Sequence, residues 1–241
     1  MESLKLLGIE RKGIAVIKAT LKDKMGTDLN IVNAARVSFG KESTHFKDED
    51  AKLIKYLAKH GHYSPFGHVF ASFHVKAPIF VARQLVKHKF LRWNEISRRY
   101  VDADPEFYVP DVWRGRSADK KQGSEGVVDL DSLNAMGDDF YGDFGEGTLA
   151  ERLAGKSEDV FEVYNLLIKA GVAPEQARMV LPQSTMTEWY WSGSLDAFSN
   201  MCYLRLKEDT QLETRLVAEQ VSKAMEHHFP VSWSALQDEG K

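Results

Sequence analysis

The chain has 241 residues, with 32 Lys and Arg against 35 Asp and Glu, 43% hydrophobic residues and 28% charged ones, a balance that excludes disorder, collagen and coiled coil as global descriptions. The net charge of −3 gives no overall pull toward nucleic acid or anionic membrane, and a single cysteine, Cys202, permits neither an internal disulfide nor a cysteine zinc site. No run approaches the ~20 apolar residues of a bilayer span, and the N-terminal Met1-Glu2-Ser3-Leu4-Lys5 lacks the features of a signal peptide, so a cytoplasmic protein is expected.

Residues 13–19 are a short β-branched run and predict a strand. Asp28 is placed to cap a helix over 29–37, with Ile31, Ala34 and Ala35 on one face. Asp48 is placed to cap a second helix over 49–60, whose stripe is Leu53, Ile54, Leu57 and Ala58. Gly61 ends it, Ser64-Pro65-Phe66-Gly67 reads as a turn, and 68–75 alternates as a strand does. Pro78 suits a first helical turn and predicts a helix over 79–87.

From 112 to 157 the texture changes: eight of the 17 glycines lie between Gly115 and Gly155, acidic residues are frequent and apolar periodicity is faint. This predicts an insertion or mobile arm within a single domain spanning 1–241. Ser157-Glu158-Asp159 opens a helix to about residue 170, a short helix follows Pro174, and the aromatic run 185–191 predicts a strand. Two helices close the chain: 195–204, and one striped by Leu212, Leu216, Val217, Val221, Ala224 and Met225 that ends near Pro230.

The segment 87–100 reads Lys-His-Lys-Phe-Leu-Arg-Trp-Asn-Glu-Ile-Ser-Arg-Arg-Tyr, five basic residues and one acid interleaved with aromatics, a hydroxyl and an amide. Such a composition neutralises and hydrogen-bonds phosphate oxygens while offering flat faces to rings. A solvated basic face is the plainer reading of the same residues.

The order of these residues resembles the signature of the flavin-dependent thymidylate synthases: Arg-His-Arg, seven residues, Ser, then an Arg two residues on. Here Lys87-His88-Lys89, seven residues, Ser97 and Arg99 keep the spacing, with lysines at the outer positions that retain charge but lose the planar fork of arginine. The resemblance extends to Asn33-Ala34-Ala35-Arg36-Val37-Ser38-Phe39, to His60-Gly61-His62 with Ser64-Pro65-Phe66, and to the run 73–84. It resumes at Ala177-Arg178-Met179-Val180-Leu181-Pro182 and at Asn200, Leu204 and Arg205, leaving only 112–157 outside.

The resemblance implies an α/β (α+β) fold, a mixed central sheet with flanking helices, and a homotetramer with active sites at subunit interfaces. The implied reaction is reductive methylation of dUMP to dTMP, with methylenetetrahydrofolate supplying the carbon and FAD, reduced by NADPH, the hydride. It assigns dUMP to Gln84, Glu95, Ile96, Ser97, Arg99, Arg178 and Arg205, with Arg205 and Ser97 nearest the chemistry. It assigns FAD to Ser38, Ser64, Lys87, His88, Lys89, Asn94, Glu95 and Asn200, and places His62 near the flavin ring and folate. No Gly-x-Gly-x-x-Gly is present, so the flavin site is expected to be non-Rossmann. Two departures stand out: Ser194 where the family commonly has Asn, and Asp209 where a His is frequent. The resemblance also implies no cysteine nucleophile, which suits Cys202 among Phe198, Met201, Tyr203 and Leu204.

Two other readings use the same residues. His60, His62, His68, His74 and His88 cluster in sequence, but no His-Glu-x-x-His is present and few carboxylates accompany them, so no metal site is expected. A nucleic-acid-binding module using 87–100 is the stronger alternative, set against an acidic remainder and no named nucleic-acid motif.

Overall fold

The computed structural model describes residues 15–101, 104–118, 123–128 and 149–238. In chain order the elements are β1 (Lys18–Met25), α1 (Asp28–Arg36), α2 (Asp48–Lys59), β2 (Phe70–Pro78), α3 (Ile79–Leu85), β3 (Leu91–Glu95), β4 (Arg114–Arg116), β5 (Ser124–Val127), α4 (Leu149–Lys169), α5 (Pro174–Ala177), β6 (Met186–Ser194), α6 (Leu195–Arg205), α7 (Leu212–His228) and α8 (Pro230–Asp238). They divide into two compact units, one of Ile17–Ile96, Arg116–Ser124 and Thr187–Lys241, the other of Met1–Val16, Ser97–Gly115 and Glu125–Met186.

The first unit is built on a four-stranded sheet in the order β1-β2-β6-β3. β1 pairs antiparallel with β2, and β3 antiparallel with β6. Between β2 and β6 the Ser72 and Ser192 hydroxyls are 2.7 Å apart and His74 Nε2 lies 3.0 Å from Glu188 Oε2, so residue numbers rise on one strand as they fall on the other and this pair is antiparallel too. Period-two alternation sorts the faces. Phe73 and Val75 of β2, Trp189 and Trp191 of β6 and Trp93 of β3 share the inner face, where Trp93 stacks on Trp189 at 4.2 Å between centroids. Phe198 of α6 closes this face, meeting Phe73 and Trp191 edge-on at 5.2 and 5.4 Å. Each such aromatic pair adds ~0.5–1.5 kcal/mol beyond its buried area.

β1 starts later than the run 13–19 predicts. Residues 13 and 14 lie outside the described residues, Ala15 and Ile17 are buried ahead of the strand, and the strand itself continues into the polar Lys22-Asp23-Lys24. Pairing with β2 decides its position, and a register shift between Leu21 and Asp23 together with the lysines blunts this sheet edge. The free edge is further covered where Ala19 N–H donates to Gln220 Oε1 of α7 at 2.9 Å.

Asp28 does not cap the helix that follows it: Thr27 is the N-cap of α1. Its buried carboxylate instead accepts the Val231 and Ser232 N–H groups at 3.1 and 3.0 Å, capping α8. Pro230, expected as a terminator, is the first residue of that helix. Lys47 is likewise the N-cap of α2, and Asp50 rather than Asp48 accepts its N–H, at 2.8 Å, while pairing with Arg36 at 2.6 Å.

In the second unit α4 begins at Leu149, so Ser157-Glu158-Asp159 lies inside the helix. Leu, Ala, Glu and Arg before it are strong helix formers, enough to absorb the ~1 kcal/mol cost of Gly155. Within the predicted arm, β4 and β5 form a two-stranded sheet, and 119–122 and 129–148 lie outside the described residues. Phe107 bridges Thr185 antiparallel, and Met186 N–H donates to Glu106 O at 2.8 Å.

Because Asp28 satisfies two otherwise orphaned donors at a helix end, Asp28→Ala is expected to lower the unfolding free energy by about 1–3 kcal/mol, read as a lower denaturant midpoint. An unchanged midpoint would show that α8 does not need this cap.

Candidate active site

Pro78 ends β2 and starts α3, which carries Gln84. The chain then turns through Lys87, His88 and Lys89 to Phe90, an aromatic residue at φ 66° that is 82% exposed. A left-handed non-glycine residue stores about 1–3 kcal/mol, and here it aims the basic turn before β3 begins. Gly193 lets β3 dock on β6, since a Cβ there would run into Leu91 and the Phe90 carbonyl. From the other side α6 ends at Arg205, and the connection to α7 supplies Lys207, Asp209, Thr210 and Gln211.

These pieces enclose a cleft of ≈ 590 Å³ lined by Gln84, Lys87, Gly123, Leu204, Arg205, Lys207, Asp209, Thr210 and Gln211. Gly123 sits at φ 89° with the Asp209 carbonyl 3.2 Å from where a Cβ would stand, so the backbone approach requires glycine. Three cations face one carboxylate, a field that favours an anion. Arg205 Nε–H donates to His88 Nε2 at 2.9 Å. Burial first, and the Arg205 charge second, push the His88 pKa down from 6.5 to about 4, so the ring is neutral at pH 7. Burial also lowers the Arg205 pKa, though a guanidinium remains charged. Thr214 Oγ1–H donates to Gln84 Oε1 at 3.1 Å, and Gln84 Nε2 donates to Gln211 Oε1.

Gln84, Lys87, His88 and Arg205 are thus brought together, from segments more than 100 residues apart. Ser97, Arg99 and Arg178 belong to the second unit. There Ser97 Oγ accepts Arg99 N–H and Nε–H at 3.3 and 3.2 Å, the Arg99 guanidinium lies 4.9 Å from the Tyr100 ring centroid, and Arg178 Nε–H donates to Glu175 O at 3.3 Å.

Other expected residues are already engaged. Ile96 N–H donates to Glu188 O at 2.9 Å, which leaves only its carbonyl for a ligand. Glu95 accepts Trp93 Nε1–H at 3.0 Å and Thr187 Oγ1–H at 2.7 Å on the inner face of the sheet, whereas Asn94 projects from the opposite face. Ser38 Oγ–H donates to Ala35 O at 2.9 Å. Ser64 is exposed at the start of a 3-10 turn, and the His62 ring lies 6.3 Å from Tyr56.

The Lys87, Lys89, Asn94 and Asn200 side chains have no hydrogen-bond or ion-pair partner among the described residues. Two unpaired ammonium groups and two unpaired amides fit the diphosphate and polar edge of a flavin dinucleotide. Ser194, one of the departures from the pattern, is the N-cap residue of α6 and its hydroxyl bonds Asp196 at 2.5 Å, while Asp209, the other, lines the cleft. Cys202 is fully buried and donates to Ala218 O at 3.6 Å. Of the clustered histidines, His60 bonds Tyr56 O, His74 meets Glu188 and His88 meets Arg205.

The sequence reading missed Thr214, Gln211 and Lys207. Lys207 and Gln211 lie in the connection before α7 and Thr214 in its first turn, where no motif or apolar period marks them.

The model of the family described as thymidylate synthase complementing protein matches residues 20–231. A flavin-dependent thymidylate synthase of Thermus thermophilus is 41% identical over 218 residues, 90% of this chain and 74% of that protein. One from Kosmotoga olearia is 41% identical over 215 residues, 89% of this chain and 87% of that protein. Among solved structures, the UMP/dUMP methylase PolB of Streptomyces cacaoi bound with 5-Br dUMP superposes with a TM-score of 0.78 at 31% identity, covering 94% of this chain and 97% of that one. The sheet, the cation-lined cleft and these matches agree: the chain belongs to the flavin-dependent thymidylate synthases, a family of methyltransferase enzymes.

Proposed function

We propose that this chain catalyses reductive methylation of dUMP to dTMP, with methylenetetrahydrofolate as carbon donor and NADPH as the reductant of FAD. The observation that carries this reading is the cleft in which Arg205, fixed by His88, stands with Gln84 and Lys87. Family membership supports the reaction class, and the 5-Br dUMP bound by the solved relative supports the ligand class.

In this reading Arg205 donates to a uracil carbonyl and stabilises the negative charge that grows on the ring as C5 attacks the carbon donor. Gln84, oriented by Thr214 and Gln211, offers its amide to the same ligand. Arg99 and Arg178 neutralise the 5′-phosphate, Ser97 orients the pyrimidine, and Glu95 and Ile96 contribute backbone carbonyls. Lys87, His88 and Lys89 hold the FAD diphosphate, with Ser38, Ser64, Asn94, Glu95 and Asn200 as further contacts and His62 bordering the flavin ring and folate. When bound, FAD supplies the hydride that completes the methyl group. A fully buried thiol is no nucleophile, so polarisation by Arg205 takes the place of covalent activation. The assembly proposed is a cytoplasmic homotetramer with sites at subunit interfaces, each chain serving as a single domain of this family with the segment at about 112–157 as an insertion.

Purified protein is expected to be yellow and to bind FAD saturably in a fluorescence titration. A colourless protein that instead binds oligonucleotides with a steep salt dependence would establish 87–100 as a nucleic-acid-binding module.

Cys202→Ala is expected to keep substantial dTMP formation. Complete loss of turnover with fold and flavin intact would place a covalent thiol step in the reaction.

Arg205 is also the last residue of α6, where a cation on the helix dipole is worth only ~0.3–1 kcal/mol. Loss of a preorganised donor costs ~10²–10³ in rate. Arg205→Ala is therefore expected to slow single-turnover methyl transfer by that factor, with a smaller effect on NADPH oxidation. Arg205→Lys should not rescue it, because a lysine lacks the fork. Full rescue by lysine would reduce Arg205 to a helix cap.

A further inference from the structure

We propose that His88 is a positioning residue for Arg205: its imidazole accepts the Arg205 Nε–H through Nε2 and fixes the guanidinium so that its terminal amino groups are left for a ligand in the cleft. The inference rests on the proposed dUMP site and adds to it a second role for a residue of the basic turn. Arg205 Nε always carries a proton, so at 2.9 Å His88 Nε2 must be the acceptor and the ring proton must sit on Nδ1. Arg205 lines the cleft, and its terminal Nη groups have no partner among the described residues. One of its five N–H groups is spent on orientation and four remain. The depressed pKa of His88 agrees with a ring that accepts and does not charge.

Geometry makes the pair directional. α6 delivers Arg205 from one side and the turn after α3 delivers His88 from the other, with Lys87 and Lys207 as neighbouring cations and Asp209 as the one acid lining the cleft among the described residues. An arginine beside other cations is pushed away from them unless something neutral and accepting holds it. A carboxylate at position 88 would hold it too, but would cancel the charge the cleft presents. A neutral imidazole holds the fork and leaves its charge intact, while Nδ1–H stays available beside Lys87 and Lys89. His88 in this way joins the expected flavin turn to the expected pyrimidine cation by one hydrogen bond.

The test separates the two ring nitrogens. Glutamine places an amide oxygen near the position of Nε2, whereas asparagine places its amide near Nδ1. In flavin-free protein, with folding checked by thermal unfolding, His88→Asn is expected to weaken dUMP binding by calorimetry about tenfold, as for a lost charge-assisted hydrogen bond, and His88→Gln to restore it to within about threefold. In an Arg205→Ala background His88→Asn should have no further effect, since the two residues act as a unit. Ring ¹⁵N shifts of His88 in the ligand-free protein should report the Nδ1–H tautomer at pH 7. Unchanged affinity in His88→Asn, additive effects with Arg205→Ala, or the Nε2–H tautomer would overturn the proposal. If the wild-type protein does not bind dUMP, the proposed function falls, and the tautomer together with its loss in Arg205→Ala decides the His88 pairing alone.

Discussion

Phe198 is the contact on which the cleft depends. It meets Phe73 of β2 and Trp191 of β6 edge-on and so sets α6 across the middle of the sheet. Helical periodicity does the rest: Met201, Cys202 and Arg205 follow Phe198 at three, four and seven residues and lie on one stripe. The first two are fully buried, and the stripe emerges from the core only at Arg205. A substitution that shifted Phe198 would move Arg205 with it, because the packed helix transmits displacement rather than absorbing it. The buried thiol and the half-buried cation are thus products of the same packing arrangement.

The strand alternation has a comparable consequence on the other side of the cleft. β3 is short and ties to β6 through Trp93 opposite Trp191, which places the turn at residues 86–90 at the edge of the sheet. Gly193 permits that approach, and the left-handed Phe90 completes the turn. Glu95 then stands on the aromatic face, where Trp93 and Thr187 donate to it, and its carboxylate is more nearly a structural acceptor than a free ligand group. Sequence resemblance places Asn94 and Glu95 side by side, and the pleat sends them to opposite faces.

What was legible in the sequence was local. The stripe of α2, the Val217, Val221 and Met225 part of the α7 stripe, the helix α6 and the aromatic run of β6 were readable from local pattern. What failed was set by partners distant in the chain. Asp28 has the chemistry of a cap and is one, but for a helix some 200 residues on, which also explains why Pro230 looked like an ending. β1 was misplaced because burial of Ala15 and Ile17 and pairing of Lys18–Met25 are separate demands, of which a hydrophobic run signals only the first. In the site, the basic turn and Arg205 were readable from motif order, whereas Thr214 and Gln211 reach Gln84 across more than 120 residues.

The two lysines that replace arginines in the signature gain meaning from this arrangement. Lys87 and Lys89 have no ion-pair partner among the described residues, and as compact charges on flexible stems they can follow a diphosphate without a fixed angle. The planar fork is retained at Arg205, where a neutral imidazole and a helix end restrict the guanidinium. A uracil edge needs direction because its donors and acceptors alternate over short distances, whereas a diphosphate is satisfied by charge nearly wherever the charge stands. In the proposed reaction, direction is needed at Arg205, where charge would develop, and can be relaxed at Lys87 and Lys89, which would only hold a cofactor, so lysine would be tolerable in the turn and not at the end of α6.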